Sequence, residues 1–105
     1  MPYLIYAIDF DNMDEKREKI RDAHRAHLKS IGKKLLASGA LLDDDNERII
    51  GGISLIDTEN IQEAEDFAFK DPYHLAGIRQ ETKILKWRKR WWEGQFLCTQ
   101  VFSSD

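Results

Sequence analysis

The sequence predicts an α+β domain of the ferredoxin-like type, with a four-stranded antiparallel sheet carrying two helices on one face. Three observations lead there. The candidate elements run strand, helix, strand, strand, helix, strand. The chain of 105 residues is the length of one domain. Its composition, 42% hydrophobic and 33% charged, is that of a globular protein with a normal core.

Tyr3-Leu4-Ile5-Tyr6-Ala7-Ile8 is aromatic, β-branched and almost wholly apolar, which predicts a buried central strand. Asp9 to Asn12 are turn residues, and Asp14 is the expected N-cap of a long helix over 15–37. Ile20, His24, His27, Leu28, Ile31 and Leu35 recur at helical steps on one face. Gly32 reads as an interior blemish in that helix, and Gly39 as its left-handed terminator. Residues 40–43 form a short strand candidate, and Asp44 to Glu47 an acidic turn. A strand over 48–56 follows, in which Gly51-Gly52 marks a bulge or the close approach of a ligand or backbone. A second helix is expected over 60–69, with Ile61, Ala64, Phe67 and Ala68 as its stripe, ended by Asp71-Pro72. A turn over 74–78 and a last strand over 82–92 complete the reading. The expected domain is 1–94, with 95–105 as a C-terminal extension.

The net charge of −3 argues against a polyanion partner. Lys83 to Trp92 holds five basic side chains and three tryptophans, a pattern that can bind single strands. Against the overall acidity it reads better as a solvated strand edge, so no nucleic acid is expected. No apolar run reaches the ~20 residues of a membrane span. The N-terminus lacks the basic start and cleavage site of a signal peptide. With Cys98 the only cysteine, no internal disulfide is available and the cytoplasm is the expected compartment. A sheet with helices on one face leaves the other open, which predicts a homodimer that covers it.

His24 and His27 are spaced to chelate on a helix, but no third ligand stands at a usual spacing. No metal site is expected. Asp43-Asp44-Asp45 lacks the glycine and closing glutamate of a calcium loop.

Taken in order, Tyr3-Leu4-Ile5-Tyr6-Ala7 with Asp9, then Arg21-Asp22-Ala23-His24 with Leu28, then Gly39-Ala40-Leu41-Leu42, form a recognisable series. It continues with Asp71-Pro72-Tyr73, Ala76-Gly77 and the Trp87-Arg88-Lys89 ending. The series resembles the YCII (YciI-like) family over nearly the whole chain. That resemblance implies a dimeric α/β-barrel with a His-Asp dyad on each subunit. His24 matches the family's histidine and Asp71 its aspartate. Asp9 matches a carboxylate near the substrate, and Arg17 a cation able to stabilise an oxyanion. Pro72 would stiffen the loop that aims the dyad, with Tyr73 beside it. An imidazole held by a carboxylate can give and take a proton near neutral pH. The implied activity is a cofactor-free proton transfer on a small polar or hydroxylated aromatic substrate. It is lyase- or isomerase-like, dehydrohalogenation being the concrete case. The alternative is a dimeric binding or accessory module without turnover.

Two departures stand out. Family members often place a serine where this chain has Gly52, and here Ser54 is the next hydroxyl on the same strand face. The family's Gly-Pro-rich loop is replaced by Asp43 to Glu47, so substrate shape does not transfer.

Overall fold

Strand β1 (Tyr3–Asp9) alternates buried and half-buried positions and pairs on both sides, antiparallel to β3 (Ile49–Ile56) and to β4 (Arg79–Lys86). Strand β2 (Leu35–Leu42) pairs with β3, which makes the sheet order β2-β3-β1-β4. The computed structural model describes residues 1–45 and 47–97, so Asn46, Cys98 and the rest of the expected extension lie outside the described residues. Helices α1 (Asp14–Ser30) and α2 (Ile61–Phe69) share one sheet face. Leu28 and Ile31 at the end of α1, with Phe67 and Ala68 of α2, meet Ile5, Ile56 and Ile84 in one core cluster. The α+β ferredoxin-like fold is thus the one expected.

Helix α1 stops at Ser30, seven residues before its expected end at Ala37. Gly32 is the cause. It takes the left-handed conformation, φ +66°, just beyond the C-cap Ile31, where only glycine avoids a Cβ penalty. Ser38 and Gly39 therefore lie inside β2 and do not terminate the helix. At the other end Met13 is the N-cap, its carbonyl accepting from the Arg17 amide at 2.8 Å, and Asp14 is the first helical residue, its carboxylate turned to the Arg17 side chain at 2.7 Å.

The Gly51-Gly52 pair behaves as a close backbone approach. A Cβ on Gly51 would stand 2.0 Å from the Ala7 carbonyl oxygen, which no side chain tolerates. Asn60 caps α2 by accepting from the Gln62 amide at 2.9 Å. Asp71-Pro72 comes after that helix has already ended and opens a new one, α3 (Pro72–Leu75). Pro72 takes the first helical position, where its missing N–H costs nothing.

The last strand also differs from expectation. β4 begins at Arg79, directly after Ile78, and ends at Lys86, where the Trp87 amide donates to the Pro2 carbonyl. Pairing with β1 sets those limits. A register irregularity opposite Ile8 and Asp9 leaves Gln80 unpaired and sets Arg79 against Asp9. Residues 91–96 turn back as a small hairpin, β5 (Trp91–Trp92) with β6 (Gln95–Phe96), so the basic-aromatic run is split between two structures.

The sheet face away from the helices carries Leu4, Tyr6, Ile53, Leu55 and Leu85. Leu85 is 50% exposed.

Candidate functional site

Asp9 closes β1 and Arg79 opens β4, so the sheet register puts their side chains together at one end of the sheet. Arg79 NH1 donates to Asp9 Oδ1 at 2.8 Å. Arg17, one turn into α1, puts Nε and NH2 on the other Asp9 oxygen at 3.0 and 2.9 Å. Asp9 and Arg17 are buried. Arg17 also donates to Asp14, at 2.7 Å, and to the Ile49 carbonyl, at 3.0 Å. All three of its guanidinium nitrogens are therefore engaged by protein acceptors.

The second carboxylate, Asp71, is the N-cap of α3. Its Oδ1 accepts from the Tyr73 amide at 2.9 Å and stands 2.8 Å from His24 Nδ1. Its Oδ2 faces Arg79 NH2 at 3.6 Å. The Tyr73 ring lies flat on the His24 imidazole, centroids 3.9 Å apart and planes within 3°. The Arg79 guanidinium also sits over that ring, 5.3 Å from its centroid. Pro72 and Tyr73 thus act through the short helix that fixes Asp71 and through the ring packed on His24.

Burial pushes the Asp71 carboxyl up, but the His24 hydrogen bond, the Tyr73 amide and the His24 and Arg79 charges together outweigh it. The carboxyl lies below its ordinary range. A carboxyl lowered on folding contributes stability above its unfolded value, about 3.9, and loses it as pH falls through the folded value. Asp71→Asn is therefore expected to flatten the loss of stability below about pH 4, seen as a weaker pH dependence of the urea midpoint. Equal slopes for the two proteins would contradict this.

A pocket adjoins the cluster. Its polar wall is Asp71, Arg79, Ser54 and Thr82, its apolar wall includes Ile5 and Phe67, and Gly52 lies beside the guanidinium. Its enclosed volume is about 20 Å³, and it opens to solvent. Gly52 and Ser54 line it together, as two-residue spacing on a strand requires. The Ser54 hydroxyl is 2.9 Å from that of Ser38.

Of the residues expected at a site, Gly52, Ser54 and Asp71 reach the pocket wall. His24 touches that wall through Asp71, with 16% of its side chain exposed. Asp9 and Arg17 belong to the cluster but lie beneath it, with side-chain exposures of 1% and 4%. Arg79 and Ser38 are additional. Arg79 falls just before the strand expected from the sequence, and only the irregularity at Gln80 turns it to the Asp9 face. His27 is used structurally, its Nε2 2.8 Å from the Phe67 carbonyl oxygen. Among the described residues, no group of three or more His, Cys, Asp or Glu side chains is arranged to hold a metal ion. Nor is any helix among them long and apolar enough to cross a membrane.

Fold and site define a ferredoxin-like domain with three carboxylate–guanidinium contacts beside a histidine at the pocket end of the sheet. The model of the YCII-related domain matches residues 1–88, and the chain belongs to that family. An uncharacterised protein of Haemophilus influenzae is 34% identical over 96 residues, covering 85% of this chain and 98% of that protein. Protein YciI of Escherichia coli O6:H1 is 30% identical with the same coverage. Among solved structures, 5-chloro-2-hydroxyhydroquinone dehydrochlorinase (TftG) of Burkholderia phenoliruptrix AC1100, in complex with 2,5-dihydroxybenzoquinone, superposes with a TM-score of 0.75. It is 26% identical, and the match covers 84% of this chain and 94% of that one.

Proposed function

We propose that this domain is a small cofactor-free enzyme in which His24 and Asp71 move a proton on a small polar or hydroxylated aromatic substrate, in a lyase- or isomerase-type step. The observation that carries the reading is the 2.8 Å contact between His24 Nδ1 and Asp71 Oδ1 at the wall of a pocket. An ionised Asp71 accepts from Nδ1–H and stabilises the imidazolium, which leaves Nε2 as the nitrogen that exchanges the proton. Such a general base or acid is worth about 10²–10⁴-fold in rate. Asp9 and Arg17 act from below the pocket by holding Arg79 and the strand end in place. The relation to a dehydrochlorinase supports the reaction class. The test is chloride release from 5-chloro-2-hydroxyhydroquinone by the purified protein, at a rate above the spontaneous one.

The second reading, a dimeric binding or accessory module, is favoured by the position of His24 outside the pocket lining. Binding of 2,5-dihydroxybenzoquinone with no release of chloride would select it.

The working unit in either case is a homodimer, with the apolar sheet face covered by a second copy. On that face Leu55, Leu4 and Leu85 lie side by side, with Ile53 and Tyr6 in the next row and Lys83 and Glu81 along the β4 edge, and an apolar patch rimmed by charge marks an interaction surface. Sedimentation at micromolar concentration is expected to give twice the chain mass, and a monomer mass overturns the assignment. We assign residues 1–94 to the domain and 95–105 to an appendage, and the protein to the cytoplasm, where a single cysteine suits the reducing conditions.

A further inference from the structure

We infer that Arg79 is the oxyanion-binding group of this pocket, standing in for the side chain that Gly52 lacks, and that the pocket takes its substrate as the anion of an acidic ring hydroxyl. The inference rests on the acid–base reading above and adds the group that receives the charge.

Geometry is the first support. A Cβ built on Gly52 would lie 3.7 Å from both NH1 and NH2 of Arg79. The guanidinium thus borders the space next to the bare backbone at 52, within a pocket it lines with Ser54 and Thr82. Donor capacity is the second. Among the described residues, Arg79 gives one hydrogen bond, from NH1 to Asp9. Its NH2 stands 3.6 Å from Asp71 Oδ2, an ion-pair distance too long for a good hydrogen bond. A guanidinium has five N–H donors, so several remain for a ligand. Arg17 has no comparable freedom, since its nitrogens are held by Asp9, Asp14 and Ile49. The third support is position: the Asp9 bond and the Tyr73 ring hold the guanidinium plane before a ligand arrives.

Charge balance then names the ligand. The buried side chains of the cluster are two carboxylates, Asp9 and Asp71, and two guanidiniums, Arg17 and Arg79. That sum is zero while His24 is neutral. An added anion is favoured only when His24 carries a proton, because an uncompensated buried charge is costly. A ring hydroxyl that enters neutral meets this condition by itself. Its O–H bond breaks, the proton goes to the His24–Asp71 pair, which meets the pocket at Asp71, and the electron pair stays on the oxygen facing Arg79. The net charge of the site is unchanged.

The test uses 4-nitrophenol, whose phenolate is coloured and whose phenol is not, titrated with the full chain below the probe's own pKa. Wild-type protein is expected to bind it and raise the phenolate absorbance. 4-Nitroanisole, which has no proton to lose, binds at least roughly tenfold more weakly, as expected for loss of a charge-assisted hydrogen bond. Arg79→Gln, checked for folding by circular dichroism, is expected to lose roughly tenfold or more in affinity and to leave any bound probe as the phenol. Gly52→Ala keeps Arg79, and its methyl would stand 3.7 Å from both terminal guanidinium nitrogens and 3.3 Å from the Gly39 carbonyl oxygen, so with folding checked in the same way it too weakens phenolate binding. Phenolate bound by folded Arg79→Gln as by wild type overturns the inference. So does wild-type protein that binds the anisole as tightly as the phenol, or that binds neither. Failure of the acid–base reading looks different: His24→Gln would release chloride normally while Arg79→Gln still lost the phenolate.

Discussion

Replacing His24 by glutamine is expected to lower the rate of chloride release by roughly 10²–10⁴-fold while the chain stays folded. The size follows from what is removed. Glutamine can occupy the space over Tyr73 and donate to Asp71, but its amide cannot accept a proton near neutral pH. Asp71→Asn is expected to lose a comparable factor by another route. An asparagine beside Nδ1 no longer demands Nδ1–H and no longer stabilises the imidazolium. The two losses are not independent, so the double variant should be little worse than either single one. Circular dichroism and a melting curve accompany the rates, because Asp71 keeps the Tyr73 amide when His24 is gone. Turnover within about twofold of wild type in a folded His24→Gln protein would remove His24 from the chemistry.

How much of this was legible in the sequence depends on whether a feature is local. β1 could be read from Tyr3 to Ile8 because alternation and β-branching act within the strand. The end of α1 could not, because Leu35 stays in phase with the helical stripe while a single residue, Gly32, breaks the helix. Weighing glycine as a weak helix former missed its use as a terminator. Asp71-Pro72 has the same ambiguity, since proline both follows helices and starts them. His24 and Asp71 are separated by 47 positions, and no spacing rule joins them. Only the resemblance to a family placed them together.

Arg79 shows the opposite limit. Period-two counting back from Thr82 and Ile84, which face the helices, puts residue 80 on that face and residue 79 on the other. One unpaired residue, Gln80, reverses the count. Such an irregularity leaves no mark in composition, because it is imposed by pairing with β1. The residue that links Asp9 to Asp71 is therefore the one whose direction depends wholly on the neighbouring strand. It is also the residue that ties the first strand to the short helix, and so couples the stability of the sheet end to the aim of Asp71.

The largest stability effect is expected at Arg17. Arg17→Met keeps most of the side-chain volume and removes the charge. It leaves Asp9, 1% exposed, with Arg79 as its one remaining cation, and the Ile49 carbonyl without its donor. Breaking a buried pair from one side costs about 3–5 kcal/mol, since the abandoned charge stays out of water. For a domain of this size that corresponds to a fall in melting temperature on the order of 20 °C. Arg17→Lys is expected to recover little, because one ammonium cannot serve Asp9, Asp14 and Ile49 from the positions of three fork nitrogens. Asp9→Asn combined with Arg17→Met should cost less than the sum of the single variants, because the charge that each orphans is then absent. The cycle separates a cost of pairing from one of packing: a packing cost would add. A melting temperature for Arg17→Met within a few degrees of wild type would mean that solvent reaches Asp9. The cluster beneath the pocket would then be a surface ion pair worth about 1 kcal/mol or less.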